Sequence, residues 1–220
     1  AGQRRVYFRR RAGRRRFRRH ARRWRLERRR WRFQWWRWRL RRRRRIGRVV
    51  MQEQNKFKRL WQHWLHPRAR VERYFPGADL ARISRKIGLS EQNHTGQIRF
   101  VIESRYSSEA VLKGLDTRTR AWQWFGELGV WDTEHNSGVL VYVSFADHAV
   151  EIVADRGISA KVAEEEWQHV CQTMLADFRR EAFVSGLVAG LQEVTQILST
   201  HFPRAQAADF DELPNEVVLR

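Results

Sequence analysis

The stretch Trp131-Asp132-Thr133-Glu134-His135-Asn136-Ser137-Gly138, an apolar run at 139–145, Ala146-Asp147-His148-Ala149, a second apolar run at 150–153, and then Asp155-Arg156-Gly157-Ile158 decides the fold. Both runs are rich in β-branched residues, which suit the pleated surface of a strand, and a tetrad of turn length separates them, so the segment reads as a β-hairpin. The strands of a hairpin run in opposite directions. The loop at 132–137 and the exit at Asp155 and Arg156 therefore fall at one end, where Asp132, Glu134 and Asp155 can share a site. Asp147 and His148 fall at the other, a strand length of roughly 17–20 Å away.

Working outward, Gln97-Ile98-Arg99-Phe100-Val101-Ile102-Glu103 has the content of another strand. Between it and the hairpin, Ala110, Val111 and Leu115 and then Ala121, Trp122, Phe125 and Leu128 mark two helical pieces. That connection is long enough for a right-handed crossover, which makes the strands at 97 and 139 parallel. Upstream, Leu80, Ile83 and Ile87 define a helix over 76–87, with Gly88 as its expected C-terminal cap. Downstream, Ser159 is expected to cap a helix with the stripe Ala163, Trp167, Val170, Cys171, Met174, Leu175 and Phe178. A second stripe over 183–202 carries Gly186 and Gly190, four apart, which permit close approach of a neighbour. Strand, helices, hairpin and two long helices give an α/β sandwich of about 130 residues, sufficient for one core.

The net charge of +21 is not spread along the chain. Residues 1–50 hold 25 Arg and one Glu, whereas residues 51–220 hold 20 Lys and Arg against 23 Asp and Glu. The globular part is mildly acidic, so the whole basic excess lies in the leader. The leader at 1–50 has no Lys, Asp, Asn, Ser, Thr or Pro, unlike an ordinary disordered basic arm. Consecutive GGC and GGT glycine codons read from their third base become CGG and TGG, which are Arg and Trp. Residues 1–50 are therefore expected to be an out-of-frame reading of a Gly-rich region, with Met51 the start. If they are a genuine arm, they are able to bind nucleic acid or to insert at an anionic membrane; on nucleic acid, eight phosphate contacts would give a log–log salt slope of roughly −7.

Residues 51–75 contain Phe57, Leu60, Trp61, Trp64 and Leu65 at helical spacing beside Lys56, Lys58 and Arg59, ended by Pro67. This basic amphipathic helix either packs its Trp face on the domain behind it or presents Phe57, Trp61 and Trp64 to a protein partner or an anionic membrane, at about 1 kcal/mol per basic residue near the surface. Residues 204–220 read as a loose acidic tail. The lone Cys171 excludes an intrachain disulfide and a Cys-based zinc site and suits a reducing, cytoplasmic setting, with peripheral contact at the inner membrane. No apolar run approaches the ~18 residues of a membrane span. There is no P-loop, Gly-x-Gly-x-x-Gly or His-Glu-x-x-His.

The sequence from Trp131 through Asn136-Ser137-Gly138-Val139-Leu140 to Ala146-Asp147-His148 and Val153-Ala154-Asp155-Arg156-Gly157 resembles the TPM-domain family, which includes a thylakoid-lumen phosphatase of photosystem repair and many bacterial proteins. The resemblance covers roughly residues 76–202, and the domain is placed at 76–203. It implies a Rossmann-like α/β/α sandwich whose small sheet contains a parallel crossover and an antiparallel hairpin. Some members are acid phosphatases with a carboxylate-held divalent cation. Transferred by position, Asp132, Asn136 and Asp155 would hold Ca²⁺ or Mg²⁺, Arg156 would neutralise a phosphate oxygen and His135 would be the general acid. Members often continue with Gly-Leu-Glu-Gly and a further Thr-Asp; here the residues are Gly157-Ile158-Ser159-Ala160-Lys161-Val162. Three functions follow: a non-catalytic accessory or adaptor with a protein or membrane partner, a divalent-cation-dependent acid phosphatase, and a nucleic-acid binder acting through the leader.

Overall fold

The computed structural model describes residues 56–204 and 213–220; the reading of 1–50 lies outside them. In chain order the elements are α1 (Lys56–Leu65), α2 (Arg68–Val71), α3 (Gly77–Ser90), β1 (Gln97–Glu103), α4 (Ser108–Leu112), α5 (Thr117–Glu127), β2 (Gly138–Ser144), β3 (Ala149–Ala154), α6 (Arg156–Ser159), α7 (Glu164–Phe178), α8 (Phe183–His201) and β4 (Val218–Leu219).

The sheet order is β3-β2-β1-β4. β1 and β2 pair in parallel, from Gln97 opposite Gly138 to Glu103 opposite Ser144, and the crossover through α4 and α5 joins them. β2 and β3 form the expected antiparallel hairpin, with Val139 opposite Ala154. All seven residues of β1 and of β2 are buried. Side chains of a strand alternate between its faces, so both faces need covering. One core joins Ile98, Phe100, Val139, Val141 and Ile152 to Ile83 of α3, Met174 of α7 and Leu191 of α8. The other joins Val101, Leu140, Tyr142 and Val153 to Ala121, Trp124 and Phe125 of α5. The architecture is an α/β sandwich. Gly186 and Gly190 act as expected: a Cβ there would meet Phe178 at 2.7 Å and Met174 Sδ at 2.4 Å, so they set the α7–α8 separation.

Three local readings are corrected. Gly88 does not end its helix; α3 continues to Ser90, which is buried and whose Oγ donates to the Ile87 carbonyl at 2.7 Å. Ser159 does not cap the long helix; its Oγ donates to the Ala154 carbonyl at 3.0 Å, and α7 begins after Ala163, whose N–H is accepted by Glu166 at 3.2 Å. The tail is not loose over residues 213–220. Val218 and Leu219 pair in parallel with Val101 and Ile102 as β4, because the outer edge of β1 otherwise leaves its backbone groups unpaired.

Gly138, where the acidic loop enters β2, lies against the backbone: a Cβ there would sit 1.9 Å from the Val130 carbonyl oxygen. Gly138→Ala should therefore destabilise the domain by about 3 kcal/mol through overpacking, read as a lowered urea midpoint with an unchanged slope.

Candidate functional site

Burial of the sheet leaves polar chemistry at its two ends. At the end predicted to hold a site, the loop before β2 is built by Thr133, which is buried and whose Oγ1 accepts the Ser137 N–H at 2.8 Å. Asp132 and His135 are exposed. Asn136 has φ of 52°, a conformation Asn tolerates better than most residues. Its backbone carbonyl accepts the Gly157 N–H at 3.1 Å, and its Oδ1 accepts from Arg156 Nε at 2.8 Å. Asp155 Oδ1 accepts the Arg156 N–H at 2.7 Å as the cap of α6. Burial raises the Asp155 carboxyl above its ordinary range, offset in part by the hydrogen bond and charge of Arg156.

The structure thus brings Asn136, Asp155 and Arg156 together. A cation at this end would find the Arg156 guanidinium already on the Asn136 oxygen. One feature favours a ligand: Asp155 Oδ2 is buried with no hydrogen-bond partner among the described residues. Among the described residues, however, no three His, Cys, Asp or Glu side chains are grouped to hold a metal.

The opposite end carries a charged network. At the tip of the hairpin, Asp147 accepts from Arg59 Nε at 2.7 Å and Nη2 at 2.9 Å, a bidentate pair between α1 and the turn. Ser144 Oγ donates to Asp147 Oδ2 at 3.1 Å, and His63 Nε2 lies 3.2 Å from Oδ1. His63 is 1% exposed, and its Nδ1 accepts the Tyr106 N–H at 2.9 Å; the ring proton therefore sits on Nε2, facing Asp147. Burial by itself would raise the Asp147 carboxyl. The hydrogen bonds of Arg59 and His63, with the charge of Arg59, outweigh it and hold the group well below the usual carboxylate range.

From there the network runs inward. Tyr106, whose N–H bonds His63, places its hydroxyl 3.0 Å from that of Tyr142. Tyr142 donates to Glu103 Oε2 at 2.7 Å, so the proton between the two phenols belongs to Tyr106. Glu103, 5% exposed, also accepts from Trp124 Nε1 at 2.9 Å and from Arg120 Nε at 2.8 Å and Nη2 at 2.7 Å. Burial raises both phenols, and the negative charge of Glu103 adds to it. An open cleft of about 450 Å³ borders this edge, lined by Glu103, Tyr106, Lys113 and Arg120 among others, at the carboxyl ends of the parallel strands where α/β sheets bind ligands. Its cations are already paired, Arg120 with Glu103 and Lys113 with Glu109. Nothing in the sequence flagged this network; Arg59 and Asp147 are 88 residues apart.

Anchored by Arg59 and His63, α1 turns its other side outward. Phe57 is 71%, Trp61 64% and Trp64 66% exposed, and the Trp61 and Trp64 rings lie 6.5 Å apart. The Trp face does not pack on the domain; Leu60 joins the core instead. Cys171 is a half-buried thiol, pushed up to about 12 mainly by burial.

A mixed four-stranded sheet covered by helices on both faces, with an Asn-x-Gly loop entering its central strand, defines the class as a small α/β sandwich. Residues 71–197 match the TPM domain, over half of the chain, and the chain belongs to that family. It is also similar to a solved structure, the NMR structure of the BA42 protein from the psychrophilic bacterium Bizionia argentinensis, with 29% identity, a TM-score of 0.57, and coverage of 64% of this chain and 92% of that one. No curated protein matches the chain. α1 and β4 both lie outside the matched residues.

Asp147→Asn should remove the charge that Arg59 and His63 face, at a cost of about 3 kcal/mol by urea unfolding at neutral pH. Because the folded carboxyl lies below its unfolded value of about 3.9, its contribution is complete above about pH 5 and is lost as the pH falls towards the folded value. The gap between wild type and variant should therefore narrow below about pH 4.

Proposed function

We propose that this protein is a non-catalytic TPM-domain accessory module that docks through α1 on an anionic membrane surface. The exposed Trp61 and Trp64, on a helix fixed from its other side by Asp147, carry this reading. Two adjacent indoles on a rigid helix suit the headgroup region, where an apolar body and a polar N–H are both accommodated. The surroundings have the matching sign: Lys58, Arg68, Arg70 and Arg73 are exposed, and Glu72 is the one acid between residues 56 and 78. The proposed contact is peripheral; among the described residues no helix is long and apolar enough to cross a membrane.

Co-sedimentation with phosphatidylserine-containing vesicles is expected to retain the protein, with binding weakened about tenfold by Trp61→Ala/Trp64→Ala and reduced by salt. Absence of binding to anionic vesicles would remove the membrane and leave a protein partner for the same face.

The Ca²⁺- or Mg²⁺-dependent phosphatase reading, with Asp132, Asn136 and Asp155 as cation ligands and His135 and Arg156 acting on the phosphate, has the orphan Asp155 Oδ2 in its favour. It requires Arg156 to leave Asn136. On the non-catalytic reading, phosphomonoesterase turnover with either cation stays at background in wild type, Asp132→Ala and Asp155→Ala alike; a wild-type rate that both substitutions abolish would instead make the loop a catalytic site.

A further inference from the structure

Residues 213–220 lie outside the family-matched segment, yet they complete the sheet. The groove that holds them is made of residues within that segment: β1 supplies the pairing edge and α3 the facing wall. Its contacts read main chain. Gln97 Oε1 accepts the Leu213 N–H at 3.2 Å, and Ser84 Oγ accepts the Val217 N–H at 3.2 Å. The Arg99 guanidinium donates to the carbonyls of Pro214 and Glu216, the latter at 3.1 Å. Arg220 N–H donates to the Ile102 carbonyl at 2.9 Å, and Ser104 N–H to the Arg220 carbonyl at 2.6 Å.

Every peptide carries the groups recognised here. Selectivity is left to side-chain alternation: Val217 and Leu219 pack against one core, Leu213 and Val218 against the other. Arg99 is 7% exposed with this segment in place, so its guanidinium and the carbonyls it binds are buried together. The occupant itself is lightly held. Its ladder is two residues long, and Val217, Val218 and Leu219 are only half-buried, the profile of a segment that opens locally.

We infer that the outer edge of β1 is a strand-acceptor groove, held in cis by residues 213–220, that takes an extended apolar segment of a partner protein in the same parallel register. This is β-strand addition, in which main-chain hydrogen bonds give affinity and alternate side-chain pockets give selectivity. The cis segment competes through its tether, which gives it a high effective concentration. A partner engages once the cis strand opens. The groove is on the sheet edge and operates independently of α1 and of any membrane.

The test uses a fluorescent peptide of sequence Leu-Pro-Asn-Glu-Val-Val-Leu-Arg, titrated by anisotropy against the full chain and against its Val218→Glu/Leu219→Glu variant, which keeps the tether but drives charge into both cores. The variant should bind the peptide at least about tenfold more tightly than wild type, since the cis competitor is weakened; a peptide with the same two substitutions should bind neither. Equal binding by the two proteins, or none by the variant, would overturn the groove. Hydrogen exchange on the wild-type chain decides the matter if the variant does not fold. Ser104 N–H, bonded to the strap, should exchange at least about tenfold faster than Phe145 N–H, which donates to the Glu103 carbonyl at 2.9 Å across β1 and β2. Equal protection, after correction for intrinsic rates, would mean that the strap never opens and the inference is wrong.

Discussion

The burial of β2 along its whole length, on both faces and between two neighbours, is the constraint from which the rest follows. A strand so placed can carry no ionisable side chain along its middle without a partner, because transferring a charge from water into that interior costs several kcal/mol. The same holds for β1, where Arg99 points to tail carbonyls and Glu103 to four donors. Charged chemistry is consequently pressed to the two ends of the sheet. The ends are not alike, since one is a loop entering a strand and the other is where a hairpin tip, a strand end and two helices converge.

The loop end bonds mostly to itself. Thr133, Asn136, Asp155 and Arg156 bond to one another or to neighbouring backbone, while Asp155 Oδ2 and Ser137 Oγ are buried with no partner among the described residues. The hairpin-tip end uses its charges as fasteners. Asp147 ties α1 to the turn, and Glu103 ties α5 to the strand edge, with Ser144, Tyr106 and Tyr142 between them. Removing one member strands the others, so such a network enforces one arrangement of helices more than it adds net stability. Fixing α1 from within is also what keeps its tryptophans outward.

Much of the fold was legible because its signals are local. The apolar runs of β1, β2 and β3 were placed within a residue of their ends, and the length of the connection to β2 sufficed to make the first two strands parallel. Gly186 and Gly190 announced a close helix contact. The errors are also local: a glycine after an apolar stripe and a serine before one read as caps, but α3 runs on to a buried Ser90 and the short α6 ends at Ser159 before α7 begins. The candidate site was legible only in part. Asn136, Asp155 and Arg156 do meet, as the hairpin geometry required, but the identity of the partner that Asn136 Oδ1 takes depends on how α6 turns back.

Sequence by itself determined the strands, their relative directions, the helical stripes and the split between an arginine-rich leader and a mildly acidic domain, because periodicity and charge are properties of neighbours in the chain. Tertiary structure alone decided that residues 213–220 close the sheet, that Asp147 serves Arg59 and His63, and which side of α1 faces water. Each of these is a pairing between groups tens of residues apart, whose partners are chosen by packing geometry and by the need of every buried polar group for a complement.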